Sequence, residues 1–195
     1  TDIAVFRPST GIWYILRSTA GFTALNFGTD GDKPVQGDYD GDGKADIAVF
    51  RPSEGRWYLQ RSTAGFFSTA FGLGTDLVVP ADYNADGRTD IALFRESNGT
   101  WYRLTSPTNA FNAQQFGQAG DIPVPGDYDG DGKADISVFR PSNGTWYRSN
   151  STNGAFACFA FGSPGDIPIE SRNVPQQSTS DRGHPCPHLA EARTQ

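Results

Sequence analysis

Three short acidic segments have the residue types of a cation-binding loop. Each is nine residues long, carries an oxygen-bearing side chain at positions 1, 3, 5 and 9, and has glycine at position 6. They span residues 38–46, 82–90 and 127–135. Carboxylates packed into so short a segment repel one another unless a cation lies between them. A hard divalent ion that takes about six to eight oxygen ligands fits this donor set, and calcium fits better than magnesium, which requires a tighter octahedron.

Two other loop types can be tested on the same segments. An EF-hand requires a glutamate at position 12 between two helices, whereas position 12 here is Val49, Leu93 or Val138, inside an apolar run. A phosphate-binding loop requires the pattern G-x-x-x-x-G-K-[ST]. Here Asp38 takes the place of the first glycine and Ala45 follows the lysine. Both loop types are excluded. The remaining alternative is a plain solvated acidic turn, against which three copies in register argue.

The charge balance agrees with a metal-binding role. The 195-residue chain has a net charge of -6, and the three loops hold 11 of its 22 acidic residues. Three divalent ions would offset this charge, so the acidic residues indicate cation binding and not a nucleic-acid partner. No apolar run reaches the length of a membrane span. The chain shows no secretory signal, and residues 1–6 begin partway through a repeat, so we expect an upstream portion to be missing.

Internal repetition predicts the elements that position the loops. Trp-Tyr and Phe-Gly pairs each recur four times, at spacings of 44 or 45 residues. The Trp-Tyr pairs begin at Trp13, Trp57, Trp101 and Trp146. The Phe-Gly pairs begin at Phe27, Phe71, Phe116 and Phe161. This period suits four short strands per unit, as in one blade of a β-propeller. Because the Trp-Tyr pair recurs at the same place in every unit, we expect it to pack between blades and not to stack on sugars.

One unit illustrates how the strands follow from the sequence. Residues 33–37 are predicted to form strand A, which leads into the acidic loop. Residues 47–51 are apolar on both faces, as in a strand buried between sheets, and are predicted to form strand B. Turn residues separate it from strand C at residues 57–61 and strand D at residues 66–71. The predicted fold is an all-β propeller of four four-stranded blades, with each acidic loop joining strands A and B on one rim.

The order of Phe-Gly, acidic loop and apolar strand resembles the FG-GAP repeat of integrin α-subunit propellers. It is more similar still to the bacterial repeats known as VCBS or FG-GAP-like, over roughly residues 1–170. The resemblance implies about three Ca²⁺ per chain, bound by side chains at loop positions 1, 3, 5 and 9 and by the backbone carbonyl at position 7. The implied ligands are Asp38, Asp40, Asp42, Lys44 and Asp46, then Asp82, Asn84, Asp86, Arg88 and Asp90, then Asp127, Asp129, Asp131, Lys133 and Asp135. Because Asn84 replaces a carboxylate, we expect the second site to bind least tightly.

The two ends of the repeat array are offset by one strand. The first blade has strands B, C and D but no strand A, whereas residues 166–169 match a strand A with no blade after it. Either residues 167–169 pair beside residues 3–6 and close a four-bladed ring, or two chains exchange these edges and close an eight-bladed homodimer. An open arc would leave sheet edges exposed. We favour the homodimer, because most propellers of the family that this sequence resembles are wide.

The repeat pattern stops near residue 171. Residues 171–195 are polar, proline-containing and without periodicity, so we expect a disordered tail or sequence foreign to the array. The predicted organisation is therefore a blade region at residues 1–170 and a tail at residues 171–195. Both histidines, His184 and His188, lie in this tail, so no Ser-His-Asp set is available to the blades.

The resemblance implies a calcium-stabilised binding module of a secreted or cell-surface bacterial protein that recognises a glycan or protein ligand. Integrins bind protein ligands with this fold, and some fungal lectins with similar propellers bind sugars between blades. The alternative is a metal-dependent hydrolase or polysaccharide lyase, in which a propeller-bound divalent ion or the central channel activates water or substrate. The sequence leaves open whether the protein is an enzyme.

Arginine ends strand C in every unit. These residues are Arg17, Arg61, Arg103 and Arg148. They should point toward the rim that carries the acidic loops, where they either pair with loop aspartates or form a ring that binds a ligand.

Overall fold

The computed structural model of the protein describes residues 2–169 as four antiparallel sheets that follow one another along the chain. The first sheet has three strands and the other three have four each. The first sheet contains β1 (Ile3–Arg7), β2 (Ile12–Arg17) and β3 (Gly21–Asn26), and the second contains β4 (Lys33–Pro34), β5 (Ile47–Arg51), β6 (Arg56–Arg61) and β7 (Gly65–Ala70). The third contains β8 (Leu77–Val78), β9 (Ile91–Arg95), β10 (Thr100–Thr105) and β11 (Ala110–Gln115), and the fourth contains β12 (Ile122–Pro123), β13 (Ile136–Arg140), β14 (Thr145–Ser149) and β15 (Phe156–Ala160).

Each sheet is one blade of a β-propeller with its strands paired in sequence order, from B to D in the first blade and from A to D in the other three. The predicted bounds of strands B, C and D agree with the structure to within one residue at either end. Strand A is shorter than predicted, because the regular ladder ends at Pro34. The two segments that flank the first acidic loop meet again at a bridge between Gly37 and Asp46, which closes the base of the loop. The predicted tail at residues 171–195 lies outside the described residues.

The hydrophobic core lies between neighbouring blades. Strand B of the second blade is buried on both faces: Ala48, Val49 and Phe50 are all 0% exposed. Ile91 and Leu93 of the next blade join Phe50 in one cluster. Each fully buried side chain of this size stabilises the fold by about 1.5–3 kcal/mol. This packing confirms that strand B of the second blade is apolar on both faces because that blade lies between two others.

The tryptophans of the first three Trp-Tyr pairs are buried, and Trp146 of the fourth is half-buried. Trp57 and Trp101 are 0% exposed, and the Trp57 ring lies 5.5 Å from the Phe50 ring. The indole N–H of Trp57 donates to the carbonyl oxygen of Phe71, at 3.1 Å. The same bond recurs in the other three blades. A buried indole requires such an acceptor, so each Phe-Gly pair serves the tryptophan of its own blade, and the predicted packing role is confirmed.

The two ends of the array remain open in the structure. Strand β1 lies at the edge of its sheet, and Ile3 and Val5 are 70% and 60% exposed. Ile167 and Ile169 form no strand and are each 83% exposed. The last described segment does not pair with the first strand, so the structure of residues 2–169 does not show the closed four-bladed ring.

Among residues 2–169, no helix is long and apolar enough to cross a membrane. The helical structure described there is one short 3-10 turn, Pro8–Thr10.

Candidate metal centre

Each acidic loop is held at its neck by strands A and B of its blade. In the first loop, the N–H of Asp46 donates to the carbonyl oxygen of Gly37 at 2.7 Å, and the N–H of Tyr39 donates to Asp46 Oδ2 at 2.9 Å. Gly41 and Gly43 have φ angles of 75° and 83°, which glycine adopts without strain. These constraints turn the acidic side chains toward one another and not toward solvent.

The first loop brings three carboxylates together. Asp38, Asp40 and Asp42 each offer an oxygen, and these oxygens lie within 4.8 Å of one another. Asp38 accepts the N–H groups of Gly41 and Gly43 at 2.6 and 2.8 Å. Asp40 Oδ2 accepts the N–H of Thr63 at 2.8 Å, whereas Asp40 Oδ1 is buried without a partner among the described residues. An unpaired buried carboxylate oxygen is costly, and a hard cation would satisfy it.

The third loop repeats this arrangement with a slightly different set. Asp127, Asp129 and Asp135 place their oxygens within 4.8 Å of one another. Asp129 Oδ1 is again buried with no partner within the described part of the chain. The same orphaned oxygen at position 3 of two separate loops fits the calcium donor set that the sequence predicts.

The second loop differs at its centre. Asn84 stands at position 3, and its amide Nδ2 donates to the carbonyl oxygen of Ser106 at 2.6 Å and to Asp86 Oδ2 at 3.3 Å. The structure brings no third acidic oxygen into a cluster here, as far as the described residues go. Ala85 replaces the glycine of the other loops and adopts a φ of 61°, which is strained for a residue with a Cβ atom. The Asn84 amide thus donates to oxygens that a cation would otherwise bind. This agrees with the expectation that the second site binds an ion least tightly.

A serine in each strand C to strand D turn clamps the last aspartate of the loop. The N–H groups of Ser62, Ser106 and Ser151 donate to the Oδ1 atoms of Asp46, Asp90 and Asp135 at 2.7, 2.7 and 2.6 Å. In the first blade, Ser18 binds Asp2 in the same way, at 2.8 Å. The sequence interpretation missed these serines. Their signal is a serine 16 residues after each loop's final aspartate.

Burial and hydrogen bonding move the pKa values of the loop aspartates in opposite directions. Burial raises the pKa of Asp46, Asp90 and Asp135 above the ordinary value of 3.8. The hydroxyl groups of Thr63 and Ser62 lower the pKa of Asp42, and the N–H of Lys133 does the same for Asp131. The aspartate at position 5 is therefore stabilised in its ionised form. The buried aspartate at position 9 would be stabilised in its ionised form by a nearby positive charge.

The residues at loop position 7 are fixed by the carboxylate at position 5. The N–H groups of Lys44, Arg88 and Lys133 donate to Asp42, Asp86 and Asp131 at 2.9, 2.9 and 2.8 Å. Their carbonyl oxygens as calcium ligands remain a prediction, as does the full set of fifteen ligands.

The strand C arginines stack on rings. Arg61 ends β6 as expected, but Arg103 and Arg148 lie inside β10 and β14, so the expectation that they end strand C is wrong. The guanidinium groups of Arg61, Arg103 and Arg148 lie over the rings of Phe67, Tyr83 and Tyr128, at 5.2, 5.2 and 5.7 Å. Within residues 2–169, none of them forms an ion pair with a loop aspartate. The expected pairing is wrong, because a planar guanidinium is well accommodated on an aromatic face.

Comparison with solved structures supports the propeller arrangement. One similar structure is the crystal structure of selenomethionine-substituted virginiamycin B lyase from Staphylococcus aureus, with a TM-score of 0.57 and 10% sequence identity. The match covers 84% of this chain and 53% of that one, so the chain spans about half the length of the lyase structure. At this identity the likeness concerns the fold alone.

Comparison at the sequence level identifies the repeat. None of the curated proteins compared with the chain matches it. The FG-GAP-like repeat matches residues 38–93 and again residues 82–138. Each match begins at the first aspartate of an acidic loop and ends within strand B of the following blade. Together the two matches cover just over half of the sequence, and the chain belongs to the FG-GAP-like repeat family.

Proposed function

We propose that the protein is a calcium-stabilised β-propeller binding module of a secreted or cell-surface bacterial protein. The observation that carries the calcium assignment is the buried, unpartnered oxygen of Asp40 and of Asp129, each inside a carboxylate cluster among residues 2–169. A bound calcium ion would supply positive charge to these oxygens and hold the loop against the turn between strands C and D. Secretion or surface location follows from the family resemblance and is part of the proposal.

The ion has a structural role in this proposal. The loop carboxylates already accept backbone N–H groups from their own loop and from the neighbouring turn, as Asp40 does from Thr63 and Ala64 at 2.8 and 2.9 Å. Carboxylates fixed in this way are suited to holding an ion and a turn in place. The enzymatic alternative, a hydrolase or polysaccharide lyase, has no contact within residues 2–169 that favours it.

The ligand surface that we propose is a row of exposed phenylalanines, one near the start of strand D in each blade. Its members are Phe22, Phe66, Phe111 and Phe156, with exposures of 67%, 59%, 64% and 46%. Each ring lies 6.2–6.4 Å from the tyrosine ring of its own blade. An arginine covers that tyrosine, as Arg51 covers Tyr58 at 4.5 Å. Exposed aromatic rings beside tyrosine and arginine are typical of binding surfaces, and they offer flat faces to a sugar ring or an apolar peptide side chain.

A glycan array followed by calorimetry on the best hit tests this surface. Replacing Phe66 and Phe111 by alanine should weaken binding at least tenfold, because the stacking faces are removed. Since the two rings also contact Phe27 and Phe71 of the preceding blades, a thermal melt first shows that the variant is folded. Leu73→Ala is a matched control, since Leu73 is 52% exposed outside the row. Full affinity in the double variant would overturn the proposed surface, and a protein-ligand screen with the same variants covers a peptide ligand.

We also propose that two chains complete one propeller. Val5 of β1 and Ile169 are 60% and 83% exposed, whereas the corresponding residues of the second blade, Val49 and Val35, are buried. Large exposed apolar edges are unfavourable in a repeat array and are usually covered.

A further inference from the structure

A small cavity lies between the second and third blades, on the rim that carries the acidic loops. Its volume is about 70 Å³, which is the space of about two water molecules in the liquid and suits a carboxylate group. Residues of both blades line it, and all of them lie between Tyr39 and Asn109. The cavity is therefore formed by two inner blades of the array.

The cavity is positively charged. Arg61 and Arg88 line it, and none of its lining residues, which all lie within 39–109, is acidic. The chain as a whole has a net charge of -6. A concave site that collects two positive charges on an acidic protein attracts an anion.

Arg88 extends into the cavity from the second acidic loop. A Cβ atom at Gly41 would lie 2.9 Å from Arg88 Nε, so the arginine side chain packs against the first loop and its direction is fixed. Lys44 stands at the same position of the first loop and pairs with Asp42 at 3.2 Å. Arg88 forms no ion pair within residues 2–169, so its guanidinium is available to a ligand.

Arg61 contributes the second guanidinium, from the end of β6. Its Nε and Nη2 donate to the carbonyl oxygens of Gly65 and Ala64 at 3.1 and 3.3 Å, and the group lies over the Phe67 ring at 5.2 Å. These contacts orient the guanidinium and leave Nη1 for a ligand. Arginine binds carboxylates through charge-assisted hydrogen bonds of defined geometry, so two oriented arginines form a carboxylate site.

The pair of arginines is specific to this junction. By strand register, Arg17 and Thr105 take the place of Arg61 in the first and third blades. Their partners in the neighbouring loops are lysines, Lys44 and Lys133. Among the three blade junctions within residues 2–169, this one alone has arginine at both positions. Contacts that the fold requires recur in every blade, as the tryptophan hydrogen bond does, so the fold alone does not explain this pair.

Polar groups surround the arginines. The turn between strands C and D of the third blade has four residues between its paired ends, whereas that of the second blade has three. Asn109 of the longer turn lines the cavity, and so does Thr89 of the second acidic loop. Their amide and hydroxyl groups can donate to or accept from the hydroxyl groups of a ligand.

An exposed aromatic ring continues the cavity outward. Leu104 lines the cavity and lies opposite both Ile91 and Phe111 in its sheet. Directly opposite residues of neighbouring strands share one face, with Cβ atoms about 4.5–5.5 Å apart. Phe111 is 64% exposed and belongs to the row of phenylalanines. The row therefore adjoins the cavity at this blade.

We infer that the cavity binds the carboxylate of an acidic sugar whose ring lies on Phe111. The two arginines hold the charge, and Thr89 and Asn109 face the sugar hydroxyl groups. An acidic peptide side chain offers the charge but no ring of hydroxyl groups for these residues. This inference rests on the proposed glycan-binding surface and names the class of sugar that it takes.

The glycan array provides the first test, because acidic glycans should exceed neutral glycans of the same linkage. Calorimetry in saturating calcium then compares the best acidic glycan with its methyl ester, which removes the charge and keeps the ring. Arg88→Gln should weaken binding of the acid by at least about tenfold and leave binding of the ester unchanged. Arg88→Lys, which keeps the charge without the planar fork, should recover part of the loss.

Two controls accompany these variants. Arg56→Gln removes the same charge at the opposite end of β6 and should leave binding of the acid unchanged. A calcium titration and a thermal melt of Arg88→Gln should match the parent, because the substitution keeps the backbone of the second loop. A variant that lost calcium together with the glycan would show that the carboxylate binds the ion, and would overturn the role of the arginines.

The remaining outcomes separate the inference from the proposed function. Acidic glycans that bind the parent and Arg88→Gln equally, or as well as their esters, overturn the carboxylate site while the glycan surface stands. An array that returns neutral glycans alone has the same meaning. Arginine-dependent binding of an acidic peptide, with no glycan bound, overturns the sugar class. An array without any hit overturns both the inference and the proposed glycan ligand.

Discussion

The N–H of Thr89 donates a 2.6 Å hydrogen bond to the carbonyl oxygen of Asp38. These residues belong to the acidic loops of two different blades. The next pair of loops repeats the bond, from the N–H of Ala134 to the carbonyl oxygen of Asp82 at 2.7 Å. Each loop is thus fastened to its neighbour at the residue that begins the candidate ion site. A well-ordered loop therefore stabilises the contact between two blades. Loss of an ion should destabilise this contact as well as the hairpin that holds the ion.

Replacing Asp40 by asparagine should make the first loop resemble the second. The change removes one charge from the carboxylate cluster but keeps the size of the side chain. We expect a lower melting temperature in saturating calcium, since stabilisation by a ligand depends on its affinity for the folded state, but a higher one in metal-free protein, since the change removes a buried unpaired charge. Thermal melts with and without calcium measure this. A variant that loses as much stability without the ion would show that Asp40 has a role unrelated to metal.

The reverse change, Asn84→Asp, should strengthen the second site. A carboxylate at position 84 would face Asp86 and the carbonyl oxygen of Ser106, which now accept hydrogen bonds from the amide. The metal-free variant should therefore unfold at a lower temperature than the parent, and the calcium-bound variant at a higher one. Isothermal titration should show a tighter second site. An unchanged titration would argue against an ion at this position.

Ala85 offers a test of backbone strain in the same loop. Its φ of 61° matches the glycines of the other loops, Gly41 at 75° and Gly130 at 81°. Ala85→Gly should stabilise the protein by about 0.5–1 kcal/mol, because glycine adopts this conformation without a Cβ clash. Ala113→Gly, at an exposed position of β11, should destabilise it by a similar amount. Urea unfolding of both variants measures the difference in sign.

The blades also depend on matched residue sizes where the loops meet. A Cβ atom at Gly37 would lie 2.6 Å from Thr89 Oγ1. Gly37→Ala should therefore destabilise the protein by about 1–3 kcal/mol. The next junction holds Ala81 at the position of Gly37 and Ala134 at the position of Thr89. Adding Thr89→Ala should recover much of the loss, and a double-mutant cycle without coupling would contradict this contact.

Stability should depend on pH in opposite ways with and without calcium. Burial raises the pKa of Asp46, Asp90 and Asp135 above 3.8. In metal-free protein, the folded state therefore binds protons before the unfolded chain does. Its free energy of unfolding should therefore rise as the pH falls from 7 toward the raised pKa values. This stabilisation is complete below the pKa of the aspartates in the unfolded chain, and it is lost as the pH rises through their pKa in the folded state.

In saturating calcium the sign reverses, because protons compete with the ion for the same carboxylates. The lowered pKa values of Asp42 and Asp131 do not alter this window, since these groups lose their contribution only below their ordinary value. Melts of stripped and calcium-loaded protein from pH 7 to about 4.5 provide the comparison. Parallel curves would indicate that the raised aspartates do not face an ion.

Much of the fold could be predicted because its signals are local and repeat. The apolar run from Ile47 to Arg51 and the turn residues around it mark strand B within one residue. The acidic loops were visible because their oxygens stand at alternate positions of one short segment. Four copies of the Trp-Tyr and Phe-Gly pairs, 44 or 45 residues apart, then identified the blade as the repeating unit.

The contacts that sequence reasoning missed join residues far apart along the chain. Arg51 binds Asp32, which lies 19 residues before it in the sequence, and Ser62 binds Asp46, which lies 16 residues before it. No local pattern connects such residues, and only their recurrence in every blade could have shown them. The direction of the strand C arginines could not be predicted either, because a ring and a carboxylate compete for the same guanidinium. Neighbouring aromatic faces decide that competition only once the sheets are packed.

The number of calcium ions bound per folded chain tests the central claim most directly. Isothermal titration of metal-free protein, with elemental analysis of the loaded form, should give about three ions per chain, two tighter than the third, with the weak one in the loop of Asn84. Titration should also raise the melting temperature. A folded chain that binds no calcium, and whose melting temperature does not change when calcium is added, would contradict the calcium assignment.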